Sequence, residues 1–205
     1  MAKFPGVNDS TLTPEIEAAA LYMARQCGMR VPTTKVVLIG KQPVMLIERF
    51  DRYWATTGTN SDKKEYRLGF NSALTFLGCT EQENGQKSYA NIAQTIHRYV
   101  AFKSITTDCE KLFRRMVFNI FVTNDDDHLR NHGFIFSPES RGWRLSPLYD
   151  VMPRPTVTNS QTRYQSIGMG EQGTLSTLDN ALTQCLRFRI QPNRACTLMT
   201  WRART

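Results

Sequence analysis

The sequence predicts an α+β fold in which a small strand-bearing N-terminal part precedes a mainly helical remainder. Three observations carry this. Val36 to Ile39 and Val44 to Ile47 are short β-branched runs separated by Gly40-Lys41-Gln42-Pro43, the composition of a hairpin. From Ser72 to Phe121 the apolar residues recur instead at three- and four-residue spacing, the period of helices. Phe134 to Phe136 and Trp143 to Leu145 then flank Ser137 to Gly142 as a second hairpin.

In chain order, Lys3-Phe4-Pro5 opens the sequence, and a loop through Gly6, Asn8, Asp9 and Ser10 leads to Thr13-Pro14-Glu15. Those three read as N-cap, proline at the first helical position and acidic first turn. Ile16, Ala20, Met23, Ala24 and Cys27 fall on one helical face with Glu17 beside it, and Gly28 is a natural stop. The first hairpin runs into Glu48-Arg49-Phe50-Asp51-Arg52, which alternates charged and aromatic groups, and residues 55 to 66 have loop composition. Leu74, Phe76 and Leu77 begin the helical region. After a polar break at Gln82 to Lys87, Tyr89, Ile92, Ala93, Ile96 and Val100 form a second apolar face. Asp108 can cap a third helix, in which Leu112, Phe113, Met116, Val117, Ile120 and Phe121 make one wide stripe ending at Thr123-Asn124. Residues 153 to 165 read as a polar loop, and Leu178 to Leu186 and Ala195 to Trp201 as closing helices.

A chain of 205 residues, 40% hydrophobic and 21% charged, can bury a sizeable core. No apolar run reaches the ~20 residues that span a bilayer, and residues 1 to 20 lack signal-peptide character, so a cytoplasmic location is expected. The five cysteines are scattered and unpaired in spacing, as expected of reduced thiols. Lys and Arg number 26 against 18 Asp and Glu, a net charge of +8 that suits a polyanion such as a nucleotide. The excess is dispersed, with a concentration at Arg187, Arg189, Arg194, Arg202 and Arg204, and by itself does not argue direct nucleic-acid binding.

Chemistry is concentrated in Asn124-Asp125-Asp126-Asp127-His128-Leu129-Arg130-Asn131-His132-Gly133, which holds three consecutive carboxylates and two of the three histidines. Carboxylates at a helix C-terminus face the negative pole of the dipole, which costs about 0.3–1 kcal/mol per charge unless a cation compensates. Asp126 and Asn131 stand as Asp-x-x-x-x-Asn, the spacing by which a phosphoryl-transfer loop supplies a base for the attacking hydroxyl and a magnesium ligand, and Asp150 lies beyond the second hairpin. Lys3 could pair with nucleotide phosphates, oriented by Glu17. The spacing singles out Asp126 and leaves Asp125 and Asp127 as loop scaffolding. His128 is expected to support the loop by hydrogen bonding, while His132 either packs in the loop or has no role.

Together Lys3-Phe4-Pro5, Glu17 to Ala24, Glu48 to Arg52, Asn124 to Gly133 and Leu145-Ser146-Pro147-Leu148-Tyr149-Asp150 resemble the kinase core of the HipA-like family of bacterial toxin serine/threonine kinases, over nearly the whole chain. The resemblance implies a protein-kinase-like (PI3/4-kinase-like) fold. Residues 1–52 would be a partial N-lobe of lysine strand, helix, hairpin and hinge, and residues 53–205 a helical C-lobe. It also implies ATP and Mg2+ as cofactors. Lys3 would lie on the phosphates, the backbone around Glu48 and Phe50 would be the adenine hinge, Asp126 the catalytic base, and Asn131 and Asp150 the metal ligands. A protein substrate with a Ser or Thr hydroxyl and a DNA-binding antitoxin partner follow by the same resemblance. Family members carry a glycine-containing phosphate loop and further strands before the lysine. The resemblance therefore implies a kinase truncated at its N-terminus and leaves the activity of this chain open.

Other readings compete. Asp125, Asp126, Asp127, His128 and Asp150 could form a metal-dependent phosphohydrolase or nuclease site in which metal-bound water attacks. A kinase-like module that only binds a partner is a third reading. His-Leu-Arg-Asn-His lacks the glutamate of a zinc-protease helix, and the acidic run lacks the glycine and glutamate spacing of a calcium loop. Glu48, Arg49, Asp51 and Arg52 read also as strand-end ion pairs, each worth little.

Overall fold

Strand pairing begins at the second residue of the computed structural model, which describes residues 1–6, 12–56, 63–154 and 162–200. Strand β1 (Ala2–Lys3) adds to β3 (Gln42–Ile47), which forms the expected hairpin with β2 (Thr34–Ile39), giving a three-stranded antiparallel sheet in the order β1-β3-β2. Gly40 takes the positive φ of 63° that this turn requires. Val44, Met45 and Ile47 face inward from β3.

Helix α1 (Thr13–Gln26) packs against β2 and β3. Thr13 is not its N-cap: that place falls to Leu12, whose side chain can accept no hydrogen bond, and Thr13 is the first helical residue. The buried face is also rotated from the expected one, running through Pro14, Glu17, Ala20, Leu21 and Ala24, while Met23 is exposed. Glu17 thus sits in the middle of the buried face instead of beside it.

Residues 55 to 66 correct the loop reading, because β4 (Arg52–Thr56) pairs antiparallel with β5 (Lys63–Arg67). Cross-strand stacking of Tyr53 on Tyr66 at 5.4 Å supports a ribbon whose remaining residues, Trp54 and Ala55 apart, are polar. Positions 57–62, like the loop at Asn8 to Ser10, positions 155–161 of the second polar loop, and the end of the last helix at Trp201, lie outside the described residues.

The helical part follows its periodicity closely. Ser72 caps α2 (Ala73–Leu77), and Ser88 with Asn91 forms a capping box on α3 (Tyr89–Tyr99). Tyr89, Ile92, Ala93, Ile96 and Val100 are all buried against Leu112, Phe113, Met116 and Val117 of α4 (Ile105–Phe121). Asp108 does not cap α4. It lies one turn inside, fully buried, accepting hydrogen bonds from Arg144 and the Leu145 amide on β8 (Gly142–Leu145). Phe121 ends the stripe exposed. Strands β6 (Phe70–Ser72), β7 (Gly133–Ser137) and β8 make a second antiparallel sheet in that order. The stretch from Leu178 divides into α5 (Leu178–Leu182) and a 3-10 turn at Cys185–Phe188, and α6 (Pro192–Met199) begins before Ala195. Among the described residues, no helix is long and apolar enough to cross a membrane.

Candidate active site

Two cavities and the acidic loop between them contain every residue singled out in the sequence. The first, about 490 Å3, lies between the first sheet and the second. Lys3, Glu17, Glu48, Phe50 and Asp150 all line it. β1 brings Lys3 in from the sheet edge, α1 presents Glu17 from its buried face, and the Leu148-Tyr149-Asp150 segment follows β8. Lys3 Nζ stands 2.5 Å from Glu17 Oε2 and 2.5 Å from Asp150 Oδ1. Burial opposes the Lys3 charge, but Asp150 and Glu17 outweigh it and raise the ammonium pKa above its ordinary 10.5. Glu17 is only 1% exposed, and burial pushes its carboxyl above the ordinary 4.5 although Lys3 partly offsets this. Asp150 adopts a positive φ of 57°, a left-handed conformation that aspartate tolerates better than most residues.

The chain at Glu48 to Phe50 leaves β3 and forms one wall. The Glu48 amide donates to the Thr33 carbonyl at 2.9 Å, while the Glu48 carbonyl and the Phe50 amide make no hydrogen bond among the described residues. The Phe50 ring packs on Tyr149 and Phe70, at 5.4 and 6.1 Å between centroids. Gly133 is required here, since a Cβ would come within 2.5 Å of the Phe70 ring. Arg49 and Arg52 do form ion pairs, with Asp51 and Glu65 respectively.

The acidic loop divides its carboxylates among three environments. Asp127 is 2% exposed and accepts hydrogen bonds from Asn119 Nδ2 at 2.6 Å and from the Tyr89 hydroxyl, with His132 Nε2 3.0 Å away. Burial would raise its pKa, but His132, Tyr89 and Arg115 together hold it below 3.8. Asp125 pairs with Arg154 at 2.6 Å. Asp126 remains exposed and lines the second cavity, about 190 Å3, with His128, Asn84 and Ser166. Asn131 is buried 5 residues on, its Nδ2 donating to the Asp126 carbonyl at 3.1 Å, while its Oδ1 accepts no hydrogen bond among the described residues. The supporting hydrogen bond expected of His128 belongs instead to His132, because His132 is the histidine directed inward. His128 Nδ1 is buried with no hydrogen-bond partner among the described residues.

These directions separate the carboxylates that a hydrolytic metal site would need to converge. Among the described residues no three His, Cys, Asp or Glu side chains are grouped to hold a metal ion. Sequence periodicity also hid several contributors. Tyr89 and Asn119 sit within apolar helical stripes and support Asp127, and Arg115 is buried on α4 donating to the Ser146 carbonyl. Their signal was a polar residue in an apolar stripe.

Residues 1–201 match the family model described as the HipA-like C-terminal domain. A Sinorhizobium fredii (strain NBRC 101917 / NGR234) protein named "Putative kinase Y4mE" is 24% identical over 183 residues, 87% of this chain and 40% of the relative. A Haemophilus influenzae protein named "Putative kinase" is 25% identical over 164 residues, 76% of this chain and 46% of the relative. The chain therefore spans less than half the length of these curated relatives. Among solved structures, the Shewanella oneidensis MR-1 toxin-antitoxin complex of HipA, HipB and operator DNA contains a chain that superposes with a TM-score of 0.74 at 15% identity. The match covers 97% of this chain and 47% of that one. The Helicobacter pylori proinflammatory kinase CtkA gives 0.62 at 16% identity, over 97% and 77%. The fold is protein-kinase-like.

Proposed function

Because this chain belongs to the HipA-like C-terminal domain family, we propose that it is the core of an ATP- and Mg2+-dependent protein serine/threonine kinase of the HipA toxin type. The observation that carries the reading is the position of Lys3 Nζ, 2.5 Å from both Glu17 and Asp150 at the mouth of the cavity that Glu48 and Phe50 also line. A lysine held by a buried helical glutamate beside a metal-binding aspartate is what a kinase uses to hold the α/β-phosphates and metal. Residues 1–52 would then be N-lobe, with the Glu48 carbonyl and Phe50 amide as the adenine hinge, and residues 53–205 the C-lobe.

The residues present fit a magnesium nucleotide. The cavity couples an apolar wall of Ile47, Phe50 and Phe70 to the Lys3 ammonium, and Asn131 Oδ1 and the Asp150 carboxylate are hard oxygen donors. When bound, Mg·ATP supplies the transferable phosphoryl group. Asp126 orients the acceptor hydroxyl in the second cavity and takes its proton, while Asn131 and Asp150 would hold the metal. Lys3 releases Asp150 to do so and keeps Glu17 as its counter-ion. The buried network around Asp127 keeps Asp126 and Asn131 in register.

Two variants test the assignment in the full product of the gene. Asp126→Ala should lower phosphoryl transfer by about a hundred- to ten-thousand-fold while calorimetric Mg·ATP affinity stays nearly unchanged. Asp150→Ala should abolish Mg·ATP binding. Equal loss of nucleotide affinity in both variants would remove Asp126 from the base role. By analogy with the HipA complex, which was solved with HipB and operator DNA, we also propose a DNA-binding antitoxin as partner.

A further inference from the structure

A cavity of about 230 Å3 that shares no lining residue with the candidate nucleotide cavity is lined by Arg30, Lys111, Arg114 and Arg115 together with Glu110 and Ser146. Its acidic residue is already engaged, since Glu110 accepts two 2.8 Å hydrogen bonds from Arg194. Lys111 shares the buried Asp108 with Arg144, so two cations rest on one carboxylate. Arg30 is exposed and its side chain has no hydrogen bond or ion pair among the described residues. Arg115 is 3% exposed; one guanidinium nitrogen donates to the Ser146 carbonyl and the other, Nη1, has no hydrogen-bond partner among the described residues. A buried unpaired guanidinium N–H costs free energy unless an acceptor reaches it, and two further cations of α4, Lys111 and Arg114, line the same hollow with Arg30.

We propose that this basic hollow is a phosphate-binding site, separate from the nucleotide cleft, that takes the phosphoryl group of a phosphorylated side chain or a free phosphate. A dianion matches an excess of cations over carboxylates, and the fork of a guanidinium suits tetrahedral oxygens better than a single ammonium does. Arg30 and Lys111 also line the neighbouring cavity of about 680 Å3, where Arg49, Arg52 and Arg144 continue the basic lining, so a peptide carrying the phosphate has room to extend. The site is wired to the candidate active site. The Leu148 amide donates to the Arg30 carbonyl at 2.9 Å, and Arg115 holds Ser146, so both ends of the segment leading to Asp150 are fixed by residues of the hollow. Occupancy would therefore stiffen the approach to Asp150.

The site does not rest on the kinase reading, and the test separates the two. Calorimetric titration of the full chain uses inorganic phosphate, a phosphoserine peptide and its unphosphorylated counterpart, on the native protein and on Arg30→Glu, Arg115→Met and Lys3→Ala. Arg30→Glu should weaken phosphate at least about tenfold, a change of about 1.4 kcal/mol, with native thermal stability because Arg30 is exposed. Lys3→Ala should leave phosphate bound and remove nucleotide binding. A phosphopeptide tighter than inorganic phosphate assigns the phosphate to a protein segment, and equal affinities assign it to free phosphate. Phosphate binding that survives Arg30→Glu but is lost in Lys3→Ala would overturn the proposal in favour of the nucleotide cleft. Equal binding of the unphosphorylated peptide, or no phosphate binding by the native protein, would also overturn it.

Discussion

Asp127 and Glu17 are both buried carboxylates, yet their surroundings drive them in opposite directions. Around Asp127, His132, Tyr89 and Arg115 outweigh burial and hold the pKa below 3.8, so its contribution to stability is present above that pH and is lost as the pH falls through the lowered value. Around Glu17, burial wins over Lys3 and the pKa rises above 4.5, so the folded state is favoured most at or below 4.5 and loses that advantage as the pH rises toward the raised value. Urea midpoints from pH 3 to 7 should show this. The advantage of the native chain over Asp127→Ala should reach about 3–5 kcal/mol at neutral pH and shrink toward pH 3. Its advantage over Glu17→Gln should be greatest near pH 4 and shrink as pH rises. The residue types and spacing were legible at this scale: Asp126 and Asn131 were separable from Asp127 by count alone. Which histidine turned inward was not, because His128 and His132 differ only in what Tyr89 and Asn119 place beneath them.

At the scale of elements, periodicity succeeded where one face of a helix is buried and failed where another element decides the ending or the pairing. The faces of α3 and α4 were readable because a stripe at helical spacing must meet a core. Asp108 looked like a cap from sequence, but β8 lies across that turn and its Arg144 and Leu145 amide claim the carboxylate. Strands β1 and β6 are two and three residues long, too short to carry a pattern, and exist through the strands they pair with. The contrast between a local cap and a tertiary carboxylate is measurable. Ser88→Ala removes half of the capping box on α3 and should cost about 1 kcal/mol. Asp108→Ala leaves Arg144 and the Leu145 amide unsatisfied and should cost about 3–5 kcal/mol, both read from urea midpoints.

For the molecule as a whole, a second and smaller core unites the site. Ala20, Leu21 and Ala24 of α1, Ile47 at the end of β3, and Leu148 and Val151 on either side of Asp150 form one buried apolar cluster with Phe118 of α4. Phe118 is 3% exposed and lies on the side of α4 away from the main core. Glu17, the Glu48 to Phe50 wall and Asp150 thereby lie on segments joined by one cluster, in which Phe118 is the only aromatic side chain among the buried residues described. Phe118→Ala should lower stability by about 3–5 kcal/mol. At temperatures where the variant remains folded, Mg·ATP titration should show weakened affinity although no residue of the cavity has changed. Unaltered affinity in the folded variant would mean that the cavity is set by the strands alone.

By itself, the sequence determined the α+β class, the two longer hairpins, the helical core stripes and the short list of chemical residues, because each is a local property of residue type and spacing. Tertiary structure alone decided that Lys3 meets a carboxylate 147 positions away, that Asp127 is buried while Asp126 is left exposed, and that Arg115 lines a hollow with its Nη1 unpaired among the described residues. Those outcomes depend on which surfaces Phe118, Tyr89 and β8 cover, and burial is settled by contacts distant in sequence, which no local pattern encodes.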